Sequence, residues 1–393
     1  MCRRRSNRGV SCLPSSTSGT PVVSMITATT RGGSLLLKVL SATAVQPRST
    51  RNCEVDISVV IPTRNRPGRI RNALASLAQQ TFPPAEVIVV DASDAGMYDA
   101  KALANEFQTL PLLLLSSAPS VCIQRNKGIE AAKSDWIFLC DDDIELPKDH
   151  FQQLANHVAK HPGCGAVAGK LRQLESGVWV DQYPPRRFST ALYQFVFQLS
   201  VWGPIDGVKT NSFTRPVLAW MKGWYQKRGN RESLAGWPLI TQWQRPCFNT
   251  RFYSLGADLI RREFLLSSPY DPVLDPGGIG DNYGVALGLP SGIDVIDCTY
   301  ALHHREQENR VNRKIAYYRR ILALHYFVRA RYSNATITTL WLCWSIIGLS
   351  LSQLRRLDTS MLKLSVKAFF KIVAGRNPYV IAKNQGKTVI SPD

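Results

Sequence analysis

The sequence predicts an α/β protein: a doubly wound, mostly parallel sheet with flanking helices, followed by a C-terminal helical extension. Three observations carry this. Short β-branched runs alternate with helix-period segments between residues 57 and 140. The last run, Trp136-Ile137-Phe138-Leu139-Cys140, is apolar throughout, as a strand covered on both faces must be. It ends on three consecutive aspartates, Asp141-Asp142-Asp143, and ligands of open α/β sheets bind outside the carboxyl ends of the strands.

The elements follow in order. Ile57-Ser58-Val59-Val60-Ile61 reads as a strand closed by Pro62. From Arg69 to Gln80, the apolar positions Ile70, Leu74 and Leu77 keep helical spacing. Glu86–Val90 is a second strand, ending on Asp91. A helical pattern returns over Tyr98–Phe107, Leu112–Leu115 is a third strand, and a helix is predicted from about Val121 to Ala132. Four strands joined by three helical crossovers describe a parallel sheet, with Asp91 and the aspartate triplet on one rim. Between residues 57 and 143 there is no Gly-Lys-Ser/Thr or Gly-x-Gly-x-x-Gly loop after a strand, which argues against a nucleoside triphosphatase or a dinucleotide oxidoreductase.

Three adjacent carboxylates at a sheet mouth repel one another unless a cation lies between them. Hard oxygen donors suit Mg²⁺ or Mn²⁺, ions that usually bind through one or two carboxylates plus substrate phosphates. The competing reading is an acidic turn that caps the helix starting near Pro147.

Four blocks then resemble family 2 glycosyltransferases of the GT-A fold. They are Ser58-Val59-Val60-Ile61-Pro62-Thr63-Arg64-Asn65-Arg66-Pro67, Val87-Ile88-Val89-Val90-Asp91-Ala92-Ser93-Asp94, Arg125-Asn126-Lys127-Gly128-Ile129 and Phe138-Leu139-Cys140-Asp141-Asp142-Asp143. The resemblance covers residues 57–171 closely and 250–305 more loosely. It implies inverting transfer from a nucleotide-diphosphate sugar, most simply a UDP-sugar, without a covalent intermediate. By the same resemblance, Thr63 and Asp91 hold the base, Asp91 by accepting from a ring N–H. Arg125 lies near the nucleotide, Asp141 and Asp142 contact the nucleotide sugar, and Asp143 binds Mn²⁺ or Mg²⁺. The second strand ends in Asp-Ala-Ser where many relatives carry Asp-Asp-Gly-Ser.

Inversion needs one more group, a carboxylate that takes the proton from the acceptor hydroxyl. The loop Tyr270–Asn282 supplies candidates. Asp281 aligns with the Asp of the family's usual Glu-Asp pair, Gly280 stands where Glu is usual, and Asp275 is the second choice. The other reading of this loop is a Gly/Pro/Asp turn with no chemistry. After a strand-like run at Asp294–Cys298 comes His303-His304. In the family a histidine here reaches the metal or the diphosphate, and His303 aligns better. An imidazole ligand favours manganese over magnesium.

Charge divides the chain of 393 residues into three segments. Its formal net charge of +19 is distributed as +8 over residues 1–52, −1 over 53–304 and +12 over 305–393. Domains are expected at 1–54 (a disordered basic tail, a targeting segment or an overlong start, with Met25 the true one), 55–305 (catalytic) and 306–393 (basic, helical). Cationic ends suit an anionic membrane surface or a lipid-diphosphate acceptor. Zinc-finger and RNA-binding signatures are lacking, so no nucleic-acid partner is expected. Nine scattered cysteines suit reduced thiols in the cytoplasm, where the Asn334-Ala335-Thr336 sequon goes unused.

The tryptophans of an insert at residues 188–250 are expected mostly to pack a subdomain onto the sheet; the functional alternative is that the insert shapes the acceptor site. The apolar stretch Ala335–Leu351 is at the short limit for a span and reads as a buried or interfacial helix. Leu354–Ala374 reads as a basic amphipathic helix lying on a membrane. The expected function is therefore transfer to a glycan or lipid-linked acceptor, in cell-envelope or exopolysaccharide synthesis, at the inner face of the cell membrane. The alternative is a non-catalytic nucleotide-sugar-binding or scaffold protein of the same fold.

Overall fold

The computed structural model describes residues 55–95, 99–275, 277–304 and 311–387. The tail at 1–54 and Tyr98, the first residue of one predicted helix, lie outside the described residues. The strands are β1 (Ile57–Thr63), β2 (Glu86–Asp91), β3 (Leu112–Ser116), β4 (Trp136–Cys140), β5 (Ile144–Glu145), β6 (Ala166–Glu175), β7 (Val178–Val180), β8 (Val201–Trp202), β9 (Leu239–Ile240), β10 (Cys247–Thr250), β11 (Ala257–Arg261) and β12 (Ile293–His303). The helices are α1 (Pro67–Ala78), α2 (Ala100–Glu106), α3 (Val121–Ala131), α4 (His150–Lys160), α5 (Phe188–Val196), α6 (Arg215–Arg228), α7 (Arg262–Ser267), α8 (Asp281–Gly288), α9 (Arg313–Arg331), α10 (Ala335–Arg355), α11 (Thr359–Val373) and α12 (Pro378–Asn384).

The main sheet runs β3-β2-β1-β4-β11-β6-β12-β10. Strands β1 to β4 are mutually parallel, as expected from the three crossovers. Every residue of β1 and β4 is buried, which accounts for their unbroken apolar character. Strand β11 runs antiparallel between β4 and β6, so β6 and its parallel partner β12 regain the direction of β1–β4. The carboxyl ends of β1, β2, β4 and β12 therefore share one rim, and that shared rim positions the site.

Helix α3 lies directly on β1 and β2 because Gly128 has no side chain. A Cβ there would stand 2.4 Å from Val60 Cγ1. Ser120 caps the helix, its hydroxyl accepting from Ile123 N–H at 3.0 Å.

The C-terminal helices join the same core. Helix α9 buries Tyr318, Ile321, Leu322, Leu324 and Phe327 among residues continuous with the sheet core. The insert builds a small second core from α5, α6 and the parallel pair β8-β9, around Phe195, Met221 and Tyr225. Its tryptophans mostly pack: Trp237 is buried, and Trp202 stacks on Tyr253 at 5.5 Å. Trp220 is the exception, at 63% exposed. The expected helix from Leu354 divides instead. Helix α10 runs on to Arg355, the chain turns at Leu357 (φ 57°), and Asp358 caps α11 by accepting from Met361 N–H.

Candidate active site

The aspartate triplet follows β4 as a turn held to the neighbouring strand. Asp141 N–H donates to Gly256 O at 2.9 Å, and Ile144 N–H returns to Asp141 O at 3.2 Å. A Cβ on Gly256 would lie 2.5 Å from Asp141 Oδ2, so glycine leaves room for this carboxylate. The two residues after the triplet form β5, which pairs with the end of β12 (Glu145 with Leu302, Ile144 with His303). That short pairing brings a histidine 160 positions along the chain to the triplet.

His303 Nε2 lies 3.2 Å from Asp143 Oδ1, with Asp143 only 4% exposed. One ligand atom each from Asp141, Asp143 and His303 lies within 4.8 Å of the others. Two carboxylates and an imidazole are a donor set that a divalent ion such as Mn²⁺ accepts, and Mg²⁺ less readily. His304, the other half of the pair, turns outward to Glu145 Oε2 at 2.8 Å.

Asp142 turns to Thr63 and to Arg66, whose guanidinium also lies 3.9 Å from Asp143 Oδ2. Asp142 Oδ2 accepts from Thr63 Oγ1 at 2.8 Å and its Oδ1 from Arg66 at 2.9 Å. Burial pushes this carboxyl above its usual range, against the pull of Arg66. Asp91 is half-buried at the end of β2, where its Oδ1 accepts from Ser93 N–H at 2.9 Å. Gln124 fastens the two strand ends together, its amide donating to Thr63 O and Val90 O, both at 2.8 Å.

Arg125 holds the centre. It donates to Asp141 Oδ1 at 2.7 Å and to Asp281 Oδ2 at 2.5 Å, and its guanidinium lies 4.9 Å above the Tyr270 ring. Asp281, the first residue of α8, is thus brought across the crevice to face the strand-end carboxylates. Burial raises its carboxyl to about 6, with Arg125 opposing that rise. Asp275, the second choice, occupies a different place. Its Oδ2 accepts from Ser120 Oγ and its Oδ1 from Cys122 N–H, at the start of α3.

Gly280, where the resemblance leads one to expect Glu, adopts φ 91° at the N-cap of α8, and a Cβ there would stand 2.6 Å from the Ala323 Cβ of α9. The close approach of α9 requires glycine at this point.

Residues 58–214 match the family described as Glycosyl transferase family 2. The chain therefore carries a family 2 glycosyltransferase domain. Among curated relatives, it is 33% identical over 102 residues to an uncharacterized glycosyltransferase, YwdF, of Bacillus subtilis (strain 168), covering 26% of this chain and 38% of that protein. It is 30% identical over 119 residues to the amylovoran biosynthesis glycosyltransferase AmsB of Erwinia amylovora, covering 28% and 38%. The chain thus spans well under half the length of the curated relatives it matches. Solved structures similar to it include residues 1–349 of S. aureus TarS (14% identity, TM-score 0.47, 84% of this chain and 92% of that one). Another is GalNAc-T7 with UDP, GalNAc and Mn²⁺ (13% identity, TM-score 0.48, 83% and 58%).

The site also contains residues that sequence reasoning did not single out. Arg66 and Gln124 lie inside or beside the quoted motifs, so their chemistry was visible but their partners were not. Tyr270 and Gly256 gave no sequence signal. Their roles arise from chain crossings with Arg125 and Asp141.

Proposed function

We propose that this protein transfers a sugar, with inversion, from a nucleotide-diphosphate sugar to a hydroxyl of a glycan or lipid-linked acceptor, in cell-envelope or exopolysaccharide synthesis. A UDP-sugar is the proposed donor. The observation that carries this reading is Arg125 joining Asp141, on the nucleotide side, to Asp281, on the opposite wall of the crevice. Asp91 accepts the N–H of the uracil ring beside Thr63. Asp281 takes the proton of the acceptor hydroxyl as that oxygen bonds to the anomeric carbon and the bond to the diphosphate breaks on the opposite face. A diphosphate entering the crevice competes for Arg125 and so releases the Asp281 carboxylate for this work. A divalent ion, Mn²⁺ by its imidazole ligand, would be held by Asp143 and His303 beside Asp141 and would stabilise charge on the leaving diphosphate as a Lewis acid.

The test is donor hydrolysis across a panel of nucleotide sugars, comparing the native protein with Asp281→Asn. We expect Asp281→Asn to keep donor affinity and lose several orders of magnitude in turnover, because the base acts only in the transition state. Full turnover in that variant would move the role to another group. No turnover by the native protein on any donor that it binds would favour the non-catalytic reading, which Gly280 alone recommends.

The reading extends to location: peripheral, on an anionic cytoplasmic membrane face. Helix α10 is long and apolar enough to cross a membrane, and only 22% of its apolar window is buried. Its inner face is committed to the insert, with Ser345 Oγ accepting from Trp237 Nε1 at 2.8 Å and Trp344 stacked on Phe197 at 5.0 Å. Such side-on packing favours a helix lying in the interface over one spanning the bilayer. Its outer face exposes Ile337, Leu340, Ile347, Leu351 and Leu354 along one side of the helix. Phe370 and Val373 of α11 are exposed as well, with Arg355, Arg356, Lys363 and Lys367 among these positions. This apolar stripe with basic flanks is the pattern of an interfacial helix.

A further inference from the structure

A second group of metal-ligand side chains lies at the other end of β12. Asp294 is the second residue of that strand and His303 its last, a separation of about 30 Å at some 3.3 Å per residue. His157, in the last turn of α4, places Nε2 2.9 Å from Asp294 Oδ2. Cys164 follows in the turn before β6, buried, and one ligand atom each from His157, Cys164 and Asp294 lies within 4.8 Å of the others.

We propose that His157, Cys164 and Asp294 form a second metal site, which takes a zinc-type divalent ion and ties α4, the turn before β6 and β12 together. The chemistry separates it from the strand-end site. That site offers oxygen and imidazole donors, whereas this one adds sulfur, which selects zinc over magnesium or manganese. Zinc binds sulfur at about 2.3 Å and imidazole nitrogen at about 2.0–2.1 Å, so donors of one tetrahedron stand roughly 3.3–3.6 Å apart. The three side chains need only small movements from their present places to reach that spacing.

Supporting contacts are also in place. Asn249 Nδ2 donates to Asp294 Oδ1 at 2.8 Å and to Ser291 O at 2.9 Å, fixing the carboxylate with Oδ2 turned to His157. The His157 ring lies against His161, with centroids 4.4 Å apart. His157 and Asp294 each keep some exposure, which leaves water access to a fourth position.

The test uses the full chain, stripped with a chelator and titrated with Co²⁺, then with Zn²⁺. We expect a near-ultraviolet thiolate-to-cobalt absorption at one equivalent, displaced by Zn²⁺. It should be retained in Asp143→Asn and lost in Cys164→Ser. His157→Gln serves as the second variant in case the buried serine prevents folding, and it should weaken Co²⁺ binding at least tenfold. Absence of the band in the native protein, full intensity in Cys164→Ser or unchanged affinity in His157→Gln would each overturn the proposal.

Discussion

Replacing Arg125 by methionine separates the two tasks assigned to this residue, because donor binding and the ionisation of Asp281 leave different marks on a pH profile. Arg125 Nη1 stands 2.5 Å from Asp281 Oδ2, and both side chains are only 9% exposed. Two unit charges about 4 Å apart attract by roughly 4 kcal/mol at an effective dielectric of about 20. One pKa unit corresponds to about 1.36 kcal/mol, so removing the guanidinium should raise the Asp281 carboxyl by about two to three units. The native carboxyl starts from about 6. A base must be ionised, so kcat/KM for donor hydrolysis falls as pH drops through that value. The acid limb should therefore lie near 6 in the native protein and about two to three units higher in Arg125→Met. Weakened donor binding lowers the whole curve without moving the limb. Linkage has the opposite sign. An aspartate raised in the folded state contributes stability that is full below its unfolded value, near 3.8, and is lost as pH rises through about 6. Asp281→Asn should accordingly show a flatter stability profile over that interval. A native limb far from 6, or one that stays put in Arg125→Met, would refute the assignment of Asp281 as the base.

Three further outcomes are expected. Asp143→Ala should abolish the metal dependence of nucleoside diphosphate binding measured by titration calorimetry, since Asp143 is one of the two ligands proposed for the ion; unchanged Mn²⁺ dependence would place the ion elsewhere. Gly280→Glu should destabilise the protein by roughly 2–5 kcal/mol, from overpacking against Ala323 together with the positive φ. Thermal unfolding checks that, and an undiminished midpoint would show that α9 can move aside. The double substitution Leu340→Asp and Phe370→Asp should release the protein from anionic vesicles while leaving donor hydrolysis intact. Salt should do the same to the native protein in part, because the basic flanks contribute on the order of 1 kcal/mol each and are screened. Vesicle binding that ignores both changes would remove α10 and α11 as the contact.

The sequence by itself determined the parallel half of this fold. Runs such as Val87-Ile88-Val89-Val90 and Trp136–Cys140 are too apolar to be anything but covered strands, and the helices between them keep a clear period. Position at the strand ends also made Thr63, Asp91 and the triplet legible, because strand polarity fixes which end of a parallel sheet forms the crevice. The antiparallel insertion of β11 between β4 and β6 was not legible, and neither was the role of the two-residue strand β5, whose pairing brings His303 to Asp143. Short strands carry too few residues for periodicity, so pairing partners far along the chain decide them. The same holds for the acidic loop. Asp275 and Asp281 lie six residues apart in one Gly/Pro-rich segment, equal in composition. Only the folded chain gives the first to the start of α3 and the second to Arg125. Local propensity and burial are written into each segment, whereas the meeting of charges from distant segments depends on how the whole sheet closes.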